Sequence, residues 1–258
     1  MKKNIRRALI LVAALVFLGS LTMLLKERKD YAAGQDLYEQ ATQIAAAPPT
    51  DAAEPAPTEP EAQPALPEDK LADISVSALQ SEVSQAIGWI RIPDTVLSYP
   101  VVQGTDNDYY LTHAWNGTWT SVGSIFMDYR CSADFTDFNT ILYGHRMKDG
   151  SMFAALKYYR KADYWTQHPH VYIKDSNMTR QYAVFAAYEA PVRSCTYDIN
   201  PESEEARQAV IDFALEQSVL QTGIVPAATD RILTLSTCTG DGYDSRWVVQ
   251  AVEVAAEN

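Results

Sequence analysis

Cysteine is scarce in this sequence, and the few cysteines lie far apart. The chain has 258 residues and three cysteines, Cys131, Cys195 and Cys238. No pair has the CxxC or CxxxC spacing of a metal site or a thioredoxin-type site, so we predict no metal and no other cofactor. Cys131 and Cys195 are interpreted as partly buried or unpaired thiols, with a mutual disulfide as the alternative. Disulfides form in exported proteins, and three cysteines leave at least one thiol unpaired. That unpaired thiol needs an explanation.

Basic residues are also scarce once the N-terminus is set aside. Residues 1–30 hold 7 of the 21 Lys and Arg residues but only 2 of the 33 Asp and Glu residues, which leaves 14 basic against 31 acidic residues in the rest. Nucleic-acid binding needs basic patches that neutralise phosphates. The charge distribution therefore argues against nucleic acid as a partner.

The one long hydrophobic run lies at the N-terminus. Residues 8–25 carry no charge, and four basic residues precede them. A run of this length can span a bilayer, and the basic flank keeps the N-terminus in the cytoplasm. A cleaved signal peptide is the alternative, but the run ends in Lys-Glu-Arg rather than in a small-residue cleavage site. We predict that residues 1–30 are a basic flank and a single-pass membrane anchor, with the rest of the chain outside the cell.

Residues 31–72 are predicted to be an extended, proline-rich, acidic linker. Their central part, residues 45–67, reads AAAPPTDAAEPAPTEPEAQPALP and contains no aromatic residue. A segment of this composition cannot bury enough apolar surface to fold. The folded domain is therefore expected over residues 73–258, beginning with a short amphipathic helix in SVSALQSEVSQAIGWI.

Short aromatic and β-branched runs, separated by Gly, Asp, Asn and Pro, predict eight strands. They are residues 88–93, 96–103, 123–130, 140–146, 170–175, 181–190, 231–238 and 246–255. Two helices are predicted between them, at residues 150–159 and 201–220, the second with apolar residues near one face. The fold class is therefore mostly β with helical additions, and eight short strands favour a closed barrel or a sandwich.

A cysteine and an arginine flank a loop in TLSTCTGDGYDSRW, residues 234–247. If strands flank residues 239–245, the hairpin returns Arg246 beside Cys238, because paired strands lie about 5 Å apart. A guanidinium at that position can stabilise a thiolate, or an oxyanion that develops on a substrate carbonyl. The pattern is consistent with nucleophilic catalysis by the thiol.

Such a thiol needs a proton-transfer group, and the chain has four histidines. His145 ends a hydrophobic strand in TILYGHRM, where Gly144 would let another backbone or a substrate approach closely. His113, His168 and His170 are better explained by surface turns than by a metal site, because no third ligand lies nearby. From the residues alone, Cys/His chemistry and structural coincidence are equally supported.

The ordered motifs YGHRM and TLSTC, with Arg246 eight residues after the cysteine, resemble those of the sortase family. The stretches GWIRIPDTVLSYPVVQGTDNDYYLTH and GSIFMDYRC, and the long helix before the last two strands, resemble the class B branch. The likeness extends over residues 73–255. It implies an eight-stranded sortase β-barrel with an N-terminal helix and with a helix in the long connection before the last two strands.

The resemblance implies a cysteine transpeptidase that needs no metal. Cys238 would be the nucleophile, His145 the general acid and base, and Arg246 the oxyanion stabiliser. The partners would be the sorting-motif peptide of a secreted protein, of an NPxTG-like type cleaved after Thr, and an amine of peptidoglycan or its precursor. The enzyme would then anchor surface proteins to the cell wall from the membrane of a Gram-positive cell.

Three substrate-binding positions follow from the same resemblance. Asn107, Leu111 and Ser236 match positions at which class B enzymes line the peptide groove, although core packing explains Leu111 equally well.

Two other functions stay open. A pilin-polymerising sortase would use the same chemistry with a lysine of another pilin as the nucleophile. A catalytically silent extracellular adhesion or redox module is the alternative from a different class.

Overall fold

Eight β-strands close into a barrel in the computed structural model, which describes residues 2–46, 70–239 and 244–254. The strands are β1 Ala86–Arg91, β2 Ser98–Gln103, β3 Ile125–Met127, β4 Asn139–Tyr143, β5 His170–Lys174, β6 Thr179–Pro191, β7 Ile232–Cys238 and β8 Ser245–Glu253. Their order around the barrel is β1-β2-β3-β4-β7-β8-β6-β5, and β5 pairs with β1 to close it. The predicted fold class is confirmed, and of the two predicted architectures the structure has the closed barrel, not the sandwich.

Strand direction brings three strand ends together. β4 and β7 are parallel neighbours, and β7 and β8 are antiparallel neighbours. The C-terminal ends of β4 and β7 and the N-terminal end of β8 therefore lie at one end of the barrel. A parallel pair needs a long crossover connection, and the chain between β4 and β7 contains two further strands and helices.

Short helices connect the strands of the barrel. The α-helices after the N-terminal one are α2 Val76–Glu82, α3 Ala162–Gln167 and α4 Glu204–Gln217, and three 3₁₀ helices span Tyr109–Leu111, Phe153–Arg160 and Cys195–Tyr197. The helix predicted at residues 150–159 is thus a 3₁₀ helix. The helix predicted at residues 201–220 is α4, and its N-cap residue Ser203 accepts a hydrogen bond from the Ala206 N–H.

α4 packs against the outside of the barrel. Val210, Ile211 and Ala214 are fully buried on one face of the helix, in a cluster with Phe185 of β6 and Val248 of β8. Their spacing of three and four residues places them on the same face. The helix thereby fixes the connection that runs from β6 to β7 along the wall of the barrel.

The N-terminal helix α1, Lys2–Ala45, is longer than the anchor that the sequence predicts. Its large apolar side chains from Leu9 to Leu25 are exposed. By length and composition this helix could cross a membrane.

The second half of α1 packs on the barrel. Tyr38, Ala41 and Ala45 are buried, and the Trp115 indole N–H donates to the Leu37 carbonyl at 2.9 Å. The structure therefore differs from the predicted extended linker over residues 31–45. These residues are mostly good helix formers, and burial of one helix face stabilises the helix. The proline-rich residues 47–69 lie outside the described part of the chain.

Candidate active site

Cys238 and Arg246 are direct neighbours across the β7–β8 hairpin. Cys238 is the last residue of β7, and Arg246 is its partner in the antiparallel register. Opposite residues in such a pair have Cβ atoms roughly 5 Å apart and side chains on the same face. Residues 240–243, in the loop, are not described. The proximity of Cys238 and Arg246 that the sequence predicts is therefore present, and the two residues lie at an open end of the barrel.

His145 follows β4 at the same end of the barrel. The Gly144 N–H donates to the Ser236 carbonyl at 3.3 Å, and the Thr237 hydroxyl donates to the Gly144 carbonyl at 2.7 Å. The two chain segments thus remain adjacent beyond the last residue of β4. Continuing the parallel register by two residues beyond the last pair, Tyr143 and Ser236, brings His145 level with Cys238.

Two hydrogen bonds hold His145. Its Nε2 atom lies 2.7 Å from the Leu111 carbonyl oxygen, and its own carbonyl accepts from the Phe153 N–H at 2.9 Å. A carbonyl oxygen only accepts, so Nε2 carries a hydrogen. Nδ1 is then the ring nitrogen that remains for proton transfer. The main chain of Leu111, rather than its half-exposed side chain, makes this contact.

Gly144 permits close packing, but the approaching groups belong to the protein interior. A Cβ atom at this position would collide with the side chains of Ile125 and Phe153. The sequence predicts that Gly144 lets another backbone or a substrate approach. In the structure, Gly144 instead lets the end of β4 pack closely onto core side chains. A larger residue at position 144 would therefore clash with this core packing.

The three thiols differ in exposure. All three are free, so the alternative of a disulfide between Cys131 and Cys195 is not present. Burial raises the pKa of the Cys131 thiol to about 12, and burial, followed by the charge of Asp198, raises the pKa of the Cys195 thiol. Cys238 is exposed. It is the thiol that a bound substrate can reach.

A polar cavity of about 390 Å³ lies next to the hairpin. Its lining residues are Asn107, Asp128, Arg130, Tyr143, Val192, Arg193, Ser194, Tyr197, Asp198 and Arg246. Arg246 lines this cavity, and its Nη1 donates to the Ser245 carbonyl at 2.9 Å. A substrate bound across the hairpin would contact this cavity beside the cysteine.

A buried carboxylate organises one side of the cavity. Asp128 accepts hydrogen bonds from Arg130 Nε at 2.9 Å, Arg130 Nη2 at 2.8 Å, the Tyr143 hydroxyl at 3.0 Å and Asn107 Nδ2 at 3.0 Å. Burial by itself would raise the pKa of Asp128, but the hydrogen bonds and charge of Arg130 outweigh burial and lower it. The carboxylate therefore stays ionised at neutral pH. It holds Asn107, one of the predicted groove residues, at the cavity wall.

The opposite side is formed by the connection from β6 to β7. Asn139 Nδ2 donates to the carbonyls of Thr196 and Asp198, at 3.0 Å and 2.9 Å. These bonds seat Tyr197, whose hydroxyl lies 3.1 Å from the Ser236 hydroxyl. Ser236, the third predicted groove residue, is buried and contacts the cavity wall through Tyr197.

The other histidines lie in different surroundings. The His113 ring stacks on Tyr109, with centroids 3.9 Å apart, and His168 Nδ1 lies 3.0 Å from the Pro93 carbonyl oxygen. Within residues 2–46, 70–239 and 244–254, no three or more His, Cys, Asp or Glu residues are grouped so as to hold a metal ion.

Among the residues that line the cavity, the sequence predictions included Asn107 and Arg246. They did not include the residues that hold its walls by the hydrogen bonds described above, which are Asp128, Arg130, Asn139, Tyr143 and Tyr197. One signal was available: Asp128 is a charged residue directly after the apolar run IFM of β3, where its carboxylate is buried. The others lie in ordinary strand or loop sequence, and only the folded structure brings them together.

Comparisons with known proteins agree on one family. The model of the Sortase domain matches residues 90–254. The Sortase B of Listeria monocytogenes is 40% identical over 177 residues, which cover 67% of this chain and 71% of that protein. The Sortase B of Staphylococcus aureus is 34% identical over 157 residues, covering 61% of this chain and 64% of that protein.

Solved structures give the same result for the fold. The crystal structure of sortase B from B. anthracis in complex with AAEK1 superposes with a TM-score of 0.70 and 32% identity, covering 88% of this chain and 98% of that one. The Staphylococcus aureus sortase B–substrate complex superposes with a TM-score of 0.66 and 31% identity, covering 69% of this chain and 84% of that one.

Proposed function

Because the chain belongs to the sortase family, as a cysteine transpeptidase of the sortase B type, we propose that Cys238, His145 and Arg246 are its catalytic residues. The observation that carries the proposal is their convergence: Cys238 and Arg246 are cross-strand partners, and the register of β4 brings His145 level with Cys238. The exposure of Cys238, against two thiols with raised pKa values, supports its role as the nucleophile.

The first half of the proposed reaction forms a thioester. The Cys238 thiolate attacks the Thr carbonyl carbon of the sorting motif, and the carbonyl electrons move to oxygen, where the Arg246 guanidinium stabilises the negative charge. When the tetrahedral species collapses, the carbon–nitrogen bond breaks. The imidazolium of His145 gives its Nδ1 proton to the leaving amine, which departs as a neutral group.

The second half transfers the acyl group to an amine. An amine of peptidoglycan or its precursor attacks the thioester carbon, and neutral His145 takes up the proton that this amine loses. Collapse of the second tetrahedral species breaks the carbon–sulfur bond and releases the Cys238 thiolate. The cycle ends with Cys238 and His145 in their starting protonation states, so no cofactor takes part in the proposed steps.

We propose that the peptide substrate is an NPxTG-like motif, cleaved after Thr. The cavity beside Arg246 supports a substrate with polar side chains, because polar residues such as Asn107, Ser194 and Tyr197 line it. A peptide library, incubated with the full chain in detergent, tests this proposal. Cleavage after Thr, with a thioacyl adduct seen by mass spectrometry, is expected. Cleavage at another residue would contradict the motif but not the chemistry.

Arg246→Lys keeps the positive charge but loses the planar, forked guanidinium. We expect turnover to fall on the order of 10² to 10³-fold, as for removal of an oxyanion donor, with little change in the melting temperature. Steady-state kinetics with the preferred peptide measures the effect. The control is Arg231→Lys, at the other end of the same hairpin, where Arg231 pairs with Glu253 on the surface. Equal turnover in the two variants would remove Arg246 from the mechanism.

We propose a single-pass topology, with the N-terminus in the cytoplasm and the barrel outside. The exposed apolar surface of α1 from Leu9 to Leu25 and the basic residues before it support this orientation. Protease added to intact protoplasts should remove the barrel domain, while a cytoplasmic marker protein remains intact. A domain protected from protease until the cells are lysed would contradict the topology.

A further inference from the structure

The second half of α1 contacts the barrel directly beside His145. Tyr38 is buried there, and its ring meets the Tyr99 ring edge-on with centroids 5.4 Å apart. The Tyr38 hydroxyl donates a hydrogen bond to the Gly123 carbonyl and lies 3.2 Å from the Ser124 hydroxyl. A buried tyrosine hydroxyl needs a hydrogen-bond partner, and here the segment 123–124 supplies it.

Gly123 in turn lies against the imidazole of His145. Its φ angle is +61°, a conformation that favours glycine. A Cβ atom built there would be 2.9 Å from His145 Cδ2, 2.8 Å from the Tyr110 carbonyl oxygen and 2.7 Å from the Leu111 carbonyl oxygen. The Gly123 backbone is therefore in contact with both the ring and the carbonyl that accepts from it.

The neighbouring peptide completes the arrangement. The Ser124 N–H donates to the Tyr110 carbonyl at 2.9 Å, and the Ser124 hydroxyl donates to the His113 carbonyl at 2.8 Å. The segment 123–124 is thus tied to the 3₁₀ helix that supplies the Leu111 carbonyl. The Tyr38 hydroxyl bonds to this segment from the side of α1.

We propose that Tyr38 is a positioning residue for the transpeptidation reaction, acting on His145 through Gly123 and the Leu111 carbonyl. The proposal rests on the proposed role of His145 as the general acid and base. It gives the helix that leaves the membrane anchor a part in catalysis, because the helix carries the hydroxyl group that fixes the segment packed on His145. Loss of that hydroxyl would let the segment shift and change the placement of the imidazole ring.

Tyr38→Phe tests the proposal, because it keeps the ring against Tyr99 and removes only the hydroxyl. The matched control is Tyr159→Phe: Tyr159 is also buried, and its hydroxyl donates to a main-chain carbonyl, that of His168, at 2.7 Å. Both variants lose a buried hydrogen bond that the hydroxyl donates to a main-chain carbonyl, so their melting temperatures should fall by similar amounts. Both are made in the full chain, in detergent micelles.

Two measurements separate positioning from stability. We expect Tyr38→Phe to lower kcat on the order of 10- to 100-fold with KM unchanged, because small displacements of a catalytic group have effects of this size. We also expect it to shift the ring resonances of His145 in a histidine-labelled sample, in which four histidines give few signals. Tyr159→Phe should leave kcat and the His145 resonances as in the wild type.

Either a wild-type kcat or unmoved His145 resonances in Tyr38→Phe would overturn the proposal. A different result would show that the proposed function itself is wrong: His145→Ala would then retain wild-type turnover. The resonance measurement would still show whether Tyr38 controls the placement of the His145 ring. Gly123→Ala is the less suitable variant, because the added Cβ atom collides with two carbonyl oxygens and can prevent folding.

Discussion

Cys238→Ala is expected to abolish transpeptidation while the protein stays folded. Without the thiolate no thioester forms, and loss of a nucleophile costs on the order of 10⁴-fold or more in turnover. The Cys238 side chain is exposed, so its removal leaves no cavity in the core. Peptide cleavage and the thioacyl adduct should both disappear, and the melting temperature should stay close to that of the wild type.

Cys195→Ala is the matched control for this variant. Cys195 is half-buried in the connection that forms one wall of the cavity, yet its thiol takes no part in the proposed mechanism. We expect near-normal turnover from Cys195→Ala. Residual thioester formation in Cys238→Ala, or a comparable loss in Cys195→Ala, would contradict the assignment of the nucleophile.

His145→Ala is expected to have the second largest effect. The leaving amine then receives no proton from the enzyme, and loss of a general acid and base costs on the order of 10² to 10⁴-fold. In the wild type the thiolate and the imidazolium must be present together, so the rate should follow a bell-shaped dependence on pH. In His145→Ala the limb that depends on the imidazole should be absent.

His170→Ala serves as the control, because His170 lies on β5, which is not adjacent to β4, β7 or β8 in the barrel. Rates for both variants are measured across the pH range over which the wild type stays folded. An unchanged bell-shaped profile in His145→Ala, or a profile that changes equally in His170→Ala, would assign the proton transfer to another group.

The barrel could largely be predicted from the sequence, because strand formation leaves a local pattern. Alternating apolar residues and the Gly and Asp residues after Cys238 predict the hairpin of β7 and β8, and the structure contains it. The proximity of Cys238 and Arg246 then follows from strand geometry alone. The parallel pairing of β4 with β7, which brings His145 to the same place, does not follow from local pattern, because two strands lie between them in sequence.

The docking of α1 could not be predicted from composition. Its buried residues are Tyr38 and the small residues Gly34, Ala41 and Ala45, which give a weak apolar pattern next to a proline-rich segment. Whether such a face is covered depends on the shape of the barrel surface. The same holds for the Asp128 carboxylate, because the groups that stabilise it come from three separate parts of the chain.

Covalent labelling gives the sharpest test of Cys238 as the nucleophile of this site. A sorting peptide with a thiol-reactive group in place of its Thr carbonyl is incubated with the full wild-type chain, and the modified residue is identified by mass spectrometry. We expect an adduct on Cys238 and none on Cys131 or Cys195. An adduct on Cys131 or Cys195, with Cys238 unmodified, would contradict it.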